Sequence, residues 1–502
     1  MNNSQNIPLE RLLLTLPVTF HEALEAINAN TLGIIFMVDK ERKLIGVLTD
    51  GDARRDLLSG SNLTDLITAD TTVFNRAPHY LPYDCKISEI WALFEQDLRC
   101  IPLLDESHRV VDYSTRARIR KFMVLQPDIG EQEISNVLEC VTSGWISSQG
   151  RFIGLFEKAF SDYLGGGHAL AVSNGTVALQ LALTTLGIGR GDEVIVPNFT
   201  FGASINAIIH AGATPVLADI EAETWTIDIA ELKKLITPRT KAIMPVHIYG
   251  QPARLDEIKA IANEKGLFVI EDCAEALGAT YKNRRIGLDG DCTTFSFFAN
   301  KSITTGEGGM VVFKDPEMAK RARILRDHGM SPQKRYWHDY AGFNFRMTNM
   351  QAAIGVAQMG RIDELLSRKK AVFEAYDSFL SKIQGVSLLP KNDWSENSYW
   401  LYTLVLNGYD SNVRDQLISN LEYRGIDARP GFYPMHQMKP YQKFGQGAYP
   451  VSSHLSANTI SLPCSISLAN EDVTHIVEIF LDELSKFPRE SEARKINEYC
   501  VK

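Results

Sequence analysis

Read for the alternation of apolar and polar positions, the first quarter of the chain repeats itself. Thr31-Leu-Gly-Ile-Ile-Phe-Met-Val-Asp39 runs into Lys43-Leu-Ile-Gly-Val-Leu-Thr-Asp50, and Leu98-Arg-Cys-Ile-Pro-Leu-Leu-Asp105 runs into Arg109-Val-Val-Asp-Tyr-Ser-Thr115. Each copy predicts an apolar strand, an Asp-containing turn, a second strand and a polar helix start. Apolar residues at three- and four-residue spacing over 19–29 and 87–96 predict a helix ahead of each copy.

After Leu125-Gln-Pro-Asp-Ile-Gly130 the texture changes. Apolar runs such as Glu193-Val-Ile-Val-Pro197, Pro215-Val-Leu-Ala218, Ala242-Ile-Met-Pro-Val246 and Leu267-Phe-Val-Ile270 alternate with amphipathic stretches such as 253–265. That alternation predicts a mostly parallel sheet covered on both faces by helices, with ligands collecting at the carboxyl ends of its strands. From about Asn392 shorter strands and helices mix, which predicts a smaller α+β lobe. The expected division is a duplicated module at 1–124, a linker at 125–131, a large domain at 132–390 and a small domain at 391–502.

Composition narrows the function. A net charge of −9 spread along 502 residues argues against nucleic acid or an anionic membrane as partner, so any bound phosphate must be held locally. Seven scattered cysteines, with no CxxC pair and no His cluster at metal spacing, read as reduced thiols in a cytosol and give no metal site. The N-terminus lacks the basic start and apolar core of a signal peptide, and no uncharged apolar run reaches bilayer length, so the expectation is a cytoplasmic protein.

Three segments carry chemistry. Val172-Ser-Asn-Gly-Thr-Val-Ala-Leu-Gln180 is a strand end, a Gly turn and a helix start, where the N–H groups of Gly175 and Thr176 are placed to cradle an anion. Capped helix starts are common, so this alone decides little. Leu267-Phe-Val-Ile-Glu-Asp-Cys-Ala-Glu275 ends an apolar strand on Asp272, which suits either a protonated pyridine nitrogen or an ordinary helix cap. Thr293-Thr-Phe-Ser-Phe-Phe-Ala-Asn-Lys-Ser-Ile-Thr-Thr-Gly-Glu-Gly-Gly309 places Lys301 after an apolar strand and before a flexible Gly-rich turn. Most lysines are solvated surface charges, but one among apolar neighbours has a depressed pKa and can form a Schiff base.

Two resemblances add to this reading. Residues 7–122 resemble a tandem pair of CBS domains, a module that commonly binds adenine nucleotides and regulates an attached enzyme. The most telling stretch is Gly46-Val-Leu-Thr-Asp-Gly-Asp-Ala-Arg-Arg55, whose Thr49 and Asp52 match the ribose-holding positions of that family. The second copy has Ser114 and Ala117 at what read as the matching places, so at most one nucleotide site is expected. A module that only dimerises or packs fits as well.

Residues 129–488 resemble the sugar aminotransferases of pyridoxal-phosphate (PLP) fold type I, the DegT/DnrJ/StrS family. Ser173-Asn-Gly-Thr176, Gly191-Asp-Glu-Val-Ile-Val-Pro197, Val246-His-Ile-Tyr-Gly250, Glu271-Asp272 and the Lys301 segment stand in family order. The resemblance implies Lys301 as the Schiff-base lysine, Asp272 on the ring nitrogen, Gly175, Thr176 and Ser296 on the phosphate, and Phe201 stacked on the ring. It implies that Asn344 reaches a phosphate in a neighbouring subunit, hence a homodimer with shared sites or a higher oligomer. The cofactor would be pyridoxal 5'-phosphate, with pyridoxamine 5'-phosphate as the form between the two halves of the reaction.

The family usually has Gln or His three residues after the ring-binding Asp. Here Glu275 stands there, as in the branch that makes GDP-perosamine, and other segments agree with that branch: Ser143-Gly-Trp-Ile-Ser-Ser148, Tyr336-Trp-His-Asp339 and Arg429-Pro-Gly-Phe-Tyr-Pro-Met-His436. The implied reaction moves an amino group from L-glutamate to a nucleotide-linked 4-keto-6-deoxy sugar, GDP-4-keto-6-deoxymannose. A UDP-linked 4-keto-6-deoxy-N-acetylhexosamine is the alternative, and a nucleotide sensor with an inactive transferase domain is a second. His338, Tyr433 and His436 match sugar-contact positions by resemblance, or else line the interface between lobes. Related sugar dehydratases replace the lysine by histidine, so Lys301 argues against that chemistry.

Overall fold

The computed structural model describes residues 7–85, 87–94, 98–115, 118 and 121–489. They form two compact units, Met1–Phe122 with Ser419–Asp427, and Met123–Ile418 with Ala428–Lys502. Among the described residues no helix is long and apolar enough to cross a membrane.

The first unit is duplicated down to its register. In one copy strand Leu13–Thr15 runs parallel to Ile34–Val38, which pairs antiparallel with Leu44–Thr49; in the other, Leu81–Pro82, Cys100–Leu104 and Val110–Thr115 repeat the arrangement. Both ladders slip at the same place, beside Val38 in one and Leu104 in the other. The turns match as well: Asp39 Oδ1 accepts from the N–H groups of Glu41 and Lys43, and Asp105 Oδ1 from those of Ser107 and Arg109. The copies join at these turns, where the Leu44 N–H donates to His108 O and the Val110 N–H to Arg42 O. Phe36, Val38, Val47, Cys100, Leu104, Val110 and Tyr113 then bury one shared core.

This register corrects the sequence alignment of the copies by one residue. The ladders end on Ile34↔Thr49 and Cys100↔Thr115, so Thr115, not Ser114, is the counterpart of Thr49. Arg118 therefore stands opposite Asp52, and Ala117 lies outside the described residues. Arg118 donates to Asp112 Oδ1 at 2.8 Å and covers the Tyr113 ring at 4.0 Å, so the second copy puts a base where the first has an acid. In the first copy Thr49 Oγ1 donates to Asp52 Oδ2 at 2.6 Å, the Asp52 N–H donates back to Thr49 Oγ1 at 3.2 Å, and Arg55 donates to Asp52 Oδ1 at 2.5 Å. Both side chains thus cap the helix Asp50–Leu58.

The second unit is built on a seven-stranded sheet in the order Thr214–Ala218, Glu193–Pro197, Thr240–Ile243, Phe268–Asp272, Cys292–Ser296, Gly309–Phe313, His168–Val172. All are parallel except Gly309–Phe313, which is antiparallel to both neighbours. The four apolar runs read from the sequence are strands of this sheet, and the helix Leu255–Lys265 stands where the 253–265 pattern predicts one. A four-stranded antiparallel sheet, Val386–Leu388, Tyr402–Leu406, Thr459–Leu462 and Arg429–Pro430, makes the smaller lobe. Its edge strand Val386–Leu388 precedes residue 391, because the ladder recruits chain that carries too few apolar residues to read as a strand.

The expected linker is not slack. The Cys464 N–H donates to Val124 O, the Gln126 N–H to Ser465 Oγ at 2.8 Å, and Gln358 Nε2 to Asp128 O at 2.9 Å. The Asp128 carboxylate is paired with Arg361 at 2.5 Å and Arg368 at 3.1 Å.

Candidate active site

Strand periodicity aims the site residues. In Thr293-Thr-Phe-Ser-Phe297 successive side chains face opposite ways. Phe295 and Phe297 pack on Phe160 and Phe156, at ring separations of 4.9 and 5.1 Å, while Ser296 turns the other way onto Gly175. A Cβ on Gly175 would lie 2.9 Å from Ser296 Cβ, and one on Gly309 would lie 2.5 Å from Asn174 O. Only glycines let the turn settle onto the strand end. Asn174 caps the helix Gly175–Thr185 through the Val177 N–H at 3.0 Å, and the Gly175 and Thr176 N–H groups belong to the same first turn, which has no intrahelical acceptors.

The same alternation sorts Glu271 from Asp272. Glu271 faces a buried network: its Oε1 accepts from the Asp289 and Gly290 N–H groups and from Thr293 Oγ1. Its Oε2 lies 3.2 Å from His247 Nε2. His247 Nδ1 accepts from the Ala253 N–H at 3.0 Å, which puts the ring proton on Nε2. With Cys273 these two form a buried cluster of metal-ligand types, but the lone pairs of His247 and Glu271 are already spent on protein donors.

Asp272 faces the opposite side. Its Oδ2 accepts from Ser204 Oγ at 2.8 Å and its Oδ1 from the Ala274 N–H at 3.1 Å. Burial raises its pKa above the ordinary carboxylate value, against the pull of Ser204. Glu275 is also buried, and its Oε2 accepts from the Tyr249 N–H at 2.7 Å. Tyr249 has a φ of +48°, a conformation a buried tyrosine rarely adopts, at the point where its N–H reaches Glu275. Burial pushes Glu275 up to about 7, with Lys301 opposing. Packing likewise lowers the Lys301 amine, while Glu275 and Asp272 pull it back up.

The Glu275 shift has a consequence for the cofactor-free protein. An unfolded carboxyl ionises near its ordinary value of 4.5, whereas the folded one keeps its proton up to about 7. In that window the unfolded state binds fewer protons, so stability falls as pH rises. Denaturant unfolding should show wild type losing stability relative to Glu275→Gln between about pH 4.5 and 7 and running parallel above that; parallel curves throughout would mean an ordinary carboxylate.

These residues fit pyridoxal phosphate. Gly175 and Ser296 form a cradle with no room for a Cβ, Asp272 is a carboxylate raised by its burial, and packing lowers the Lys301 amine toward its nucleophilic form. Phe201 is 61 % exposed at the start of the helix Gly202–His210, tilted against Phe432 at 6.0 Å, and offers a free ring face.

Other residues chosen from the sequence stand apart from this set. Asn344 is exposed, between Phe343 and Phe345, which stack on each other at 4.4 Å. His338 lies on an exposed loop with Nδ1 on His328 O at 2.8 Å. Tyr433 is 49 % exposed, with the Arg414 guanidinium 5.9 Å from its ring. His436 is tied inward: its Nδ1 lies 2.9 Å from Asn198 Nδ2, its ring stacks on Tyr449 at 4.6 Å, and burial lowers its pKa. Through Asn198 it anchors the segment that leads to Phe201. The sequence reading passed over Ser204, Tyr249 and Trp400, because their partners lie far away along the chain.

Residues 127–481 match the DegT/DnrJ/EryC1/StrS aminotransferase family. The chain belongs to this family. It is 47 % identical to a GDP-perosamine synthase of Caulobacter vibrioides over 71 % of this chain and 96 % of that one. It is 43 % identical to a GDP-perosamine synthase of Escherichia coli O157:H7, again over 71 % and 96 %. Among solved structures, a Streptococcus pneumoniae protein described as a sugar aminotransferase, in its pyridoxamine-phosphate form, superposes with a TM-score of 0.70 at 32 % identity, over 73 % of this chain and 98 % of its own. A PLP form of that protein superposes equally well. The family match begins at residue 127, so the duplicated module at 7–122 lies before it.

Proposed function

We propose that this aminotransferase moves an amino group from L-glutamate to C4 of GDP-4-keto-6-deoxymannose, giving GDP-perosamine for a surface polysaccharide. When bound, pyridoxal phosphate supplies the carbonyl that takes up and releases nitrogen and a ring that serves as an electron sink. Lys301 holds the cofactor, and its freed Nζ takes a proton from Cα of the amino donor and later delivers one to the sugar carbon. Asp272, oriented by Ser204, holds the ring nitrogen. The Gly175–Thr176 turn and Ser296 hold the phosphate, and Phe201 stacks on the ring. Glu275, fixed by the Tyr249 N–H, shares a proton beside Lys301.

The observation that carries the chemistry is a partly buried lysine and two buried carboxylates gathered at the carboxyl ends of adjacent strands; the GDP sugar is supported by the identity to the GDP-perosamine synthases. Exposed Asn344 is read as a contact for the partner of a homodimer. The duplicated module is read as a CBS pair with at most one adenine-nucleotide site, at Thr49 and Asp52, since Arg118 replaces the acid in the second copy.

A coupled assay with glutamate and freshly generated keto sugars tests this. Turnover of GDP-4-keto-6-deoxymannose and not of UDP-4-keto-6-deoxy-N-acetylglucosamine is the expected result; the reverse preference would keep the chemistry and overturn the substrate.

A further inference from the structure

Lys301 has a neighbour that the sequence reading did not single out. Its Nζ lies 3.8 Å from the centroid of the Trp400 ring, within the range at which a ring face attracts an ammonium. The ring is fixed at several points. It is buried, at 3 % exposure, and its Nε1 donates to Asn300 O at 2.7 Å, the carbonyl just before Lys301. Tyr249 lies nearly parallel to it at 6.0 Å, and Phe432 stacks on Tyr249 at 5.3 Å. The Trp400 carbonyl accepts from Cys464 Sγ at 3.6 Å. An indole held at its edge, against other rings and through its backbone is a fixed platform.

We propose that Trp400 is a positioning residue that seats the Lys301 amine whenever the lysine is not joined to the cofactor, so that Nζ holds the proton taken from Cα of the amino donor during its passage to the cofactor. The inference rests on Lys301 being the cofactor lysine. Asp272 and Glu275 supply the charges around the amine, and a cavity lined by Lys301, Ser302, Asp128 and Lys369 lies beside it. Burial lowers the Lys369 amine below the ordinary lysine value, with its Cys464 contacts opposing. The ring face stabilises the ammonium over the amine and works against the lowering by burial, so its removal drops the Lys301 pKa further.

The test uses the full-length protein stripped of cofactor. The pH dependence of Lys301 acetylation, read by peptide mass spectrometry, is compared in wild type, Trp400→Phe and Trp400→Leu. Trp400→Leu is expected to lower the Lys301 pKa by about one unit. Trp400→Phe keeps most of the wild-type value although it loses the bond to Asn300. With cofactor restored, the glutamate half-reaction should lose roughly tenfold in kcat in the Leu variant with KM for glutamate unchanged, the split expected when the proton carrier and not the donor's binding is disturbed. An unmoved pKa in a folded Leu variant, or equal shifts in Leu and Phe, overturns the proposal. Borohydride reduction of the wild-type holoenzyme is run in parallel: a label at Lys301 keeps the underlying assignment, and a label elsewhere rejects it independently of Trp400.

Discussion

Lys301→Ala should abolish transamination, with both half-reactions falling by roughly 10⁴-fold or more. General acid–base catalysis by one positioned side chain accounts for about 10²–10⁴, and this lysine also anchors the cofactor. The fold should survive, because the residue stands in a turn after the strand Cys292–Ser296 and gives no side chain to the Phe156, Phe160, Phe295 and Phe297 cluster. Single-turnover absorbance with glutamate measures the chemical loss, and borohydride followed by peptide mapping shows whether the covalent link is gone. A variant that retained a tenth of the wild-type rate would remove Lys301 from the reaction.

Asp272→Ala should be the next most damaging change. A buried carboxylate that, among the described residues, has Ser204 Oγ and the Ala274 N–H as its hydrogen-bond donors is poised for a cationic partner, and losing one buried electrostatic contact costs roughly 10²–10³ in kcat. Ser204→Ala keeps the carboxylate and removes one bond to it, so its loss should be roughly ten- to a hundredfold, in line with about 1.5–3 kcal/mol for a hydrogen bond to a charged group. The ordering Asp272→Ala, then Ser204→Ala, then wild type in kcat is the measurement; equal activity in all three would show that Asp272 serves only the helix turn after it.

Asp272, Lys301 and Gly175 could be singled out from short-range signals, since Asp272 ends an apolar strand, Lys301 follows one and Gly175 opens the helix after one, whereas Ser296 was named through the family resemblance. What the chain brings together over long distances was not legible. Ser204 and Asp272 are 68 residues apart, and Trp400 and Asn300 100 apart. For His436 the sequence offered a sugar contact or a place between lobes, and the structure adds that its Nδ1 lies against Asn198, 238 residues away. The duplicated module was visible as repeated strands, but its true alignment is set by a slip in the ladder beside Val38 and Leu104, which adds one residue to the spacing and has no composition of its own.

The segment from Val124 to Asp128 has a mechanical side. From Val124 to Asp128 the chain is fastened to the strand end at Cys464 and, through Asp128, to two arginines of the helix Ile362–Leu380 and its cap. Displacement of this segment is therefore resisted at fixed points instead of being absorbed by free chain. The same residues wall the cavity beside Lys301. A change in how Leu125–Asp128 is held would therefore be felt as a change in the shape of that cavity.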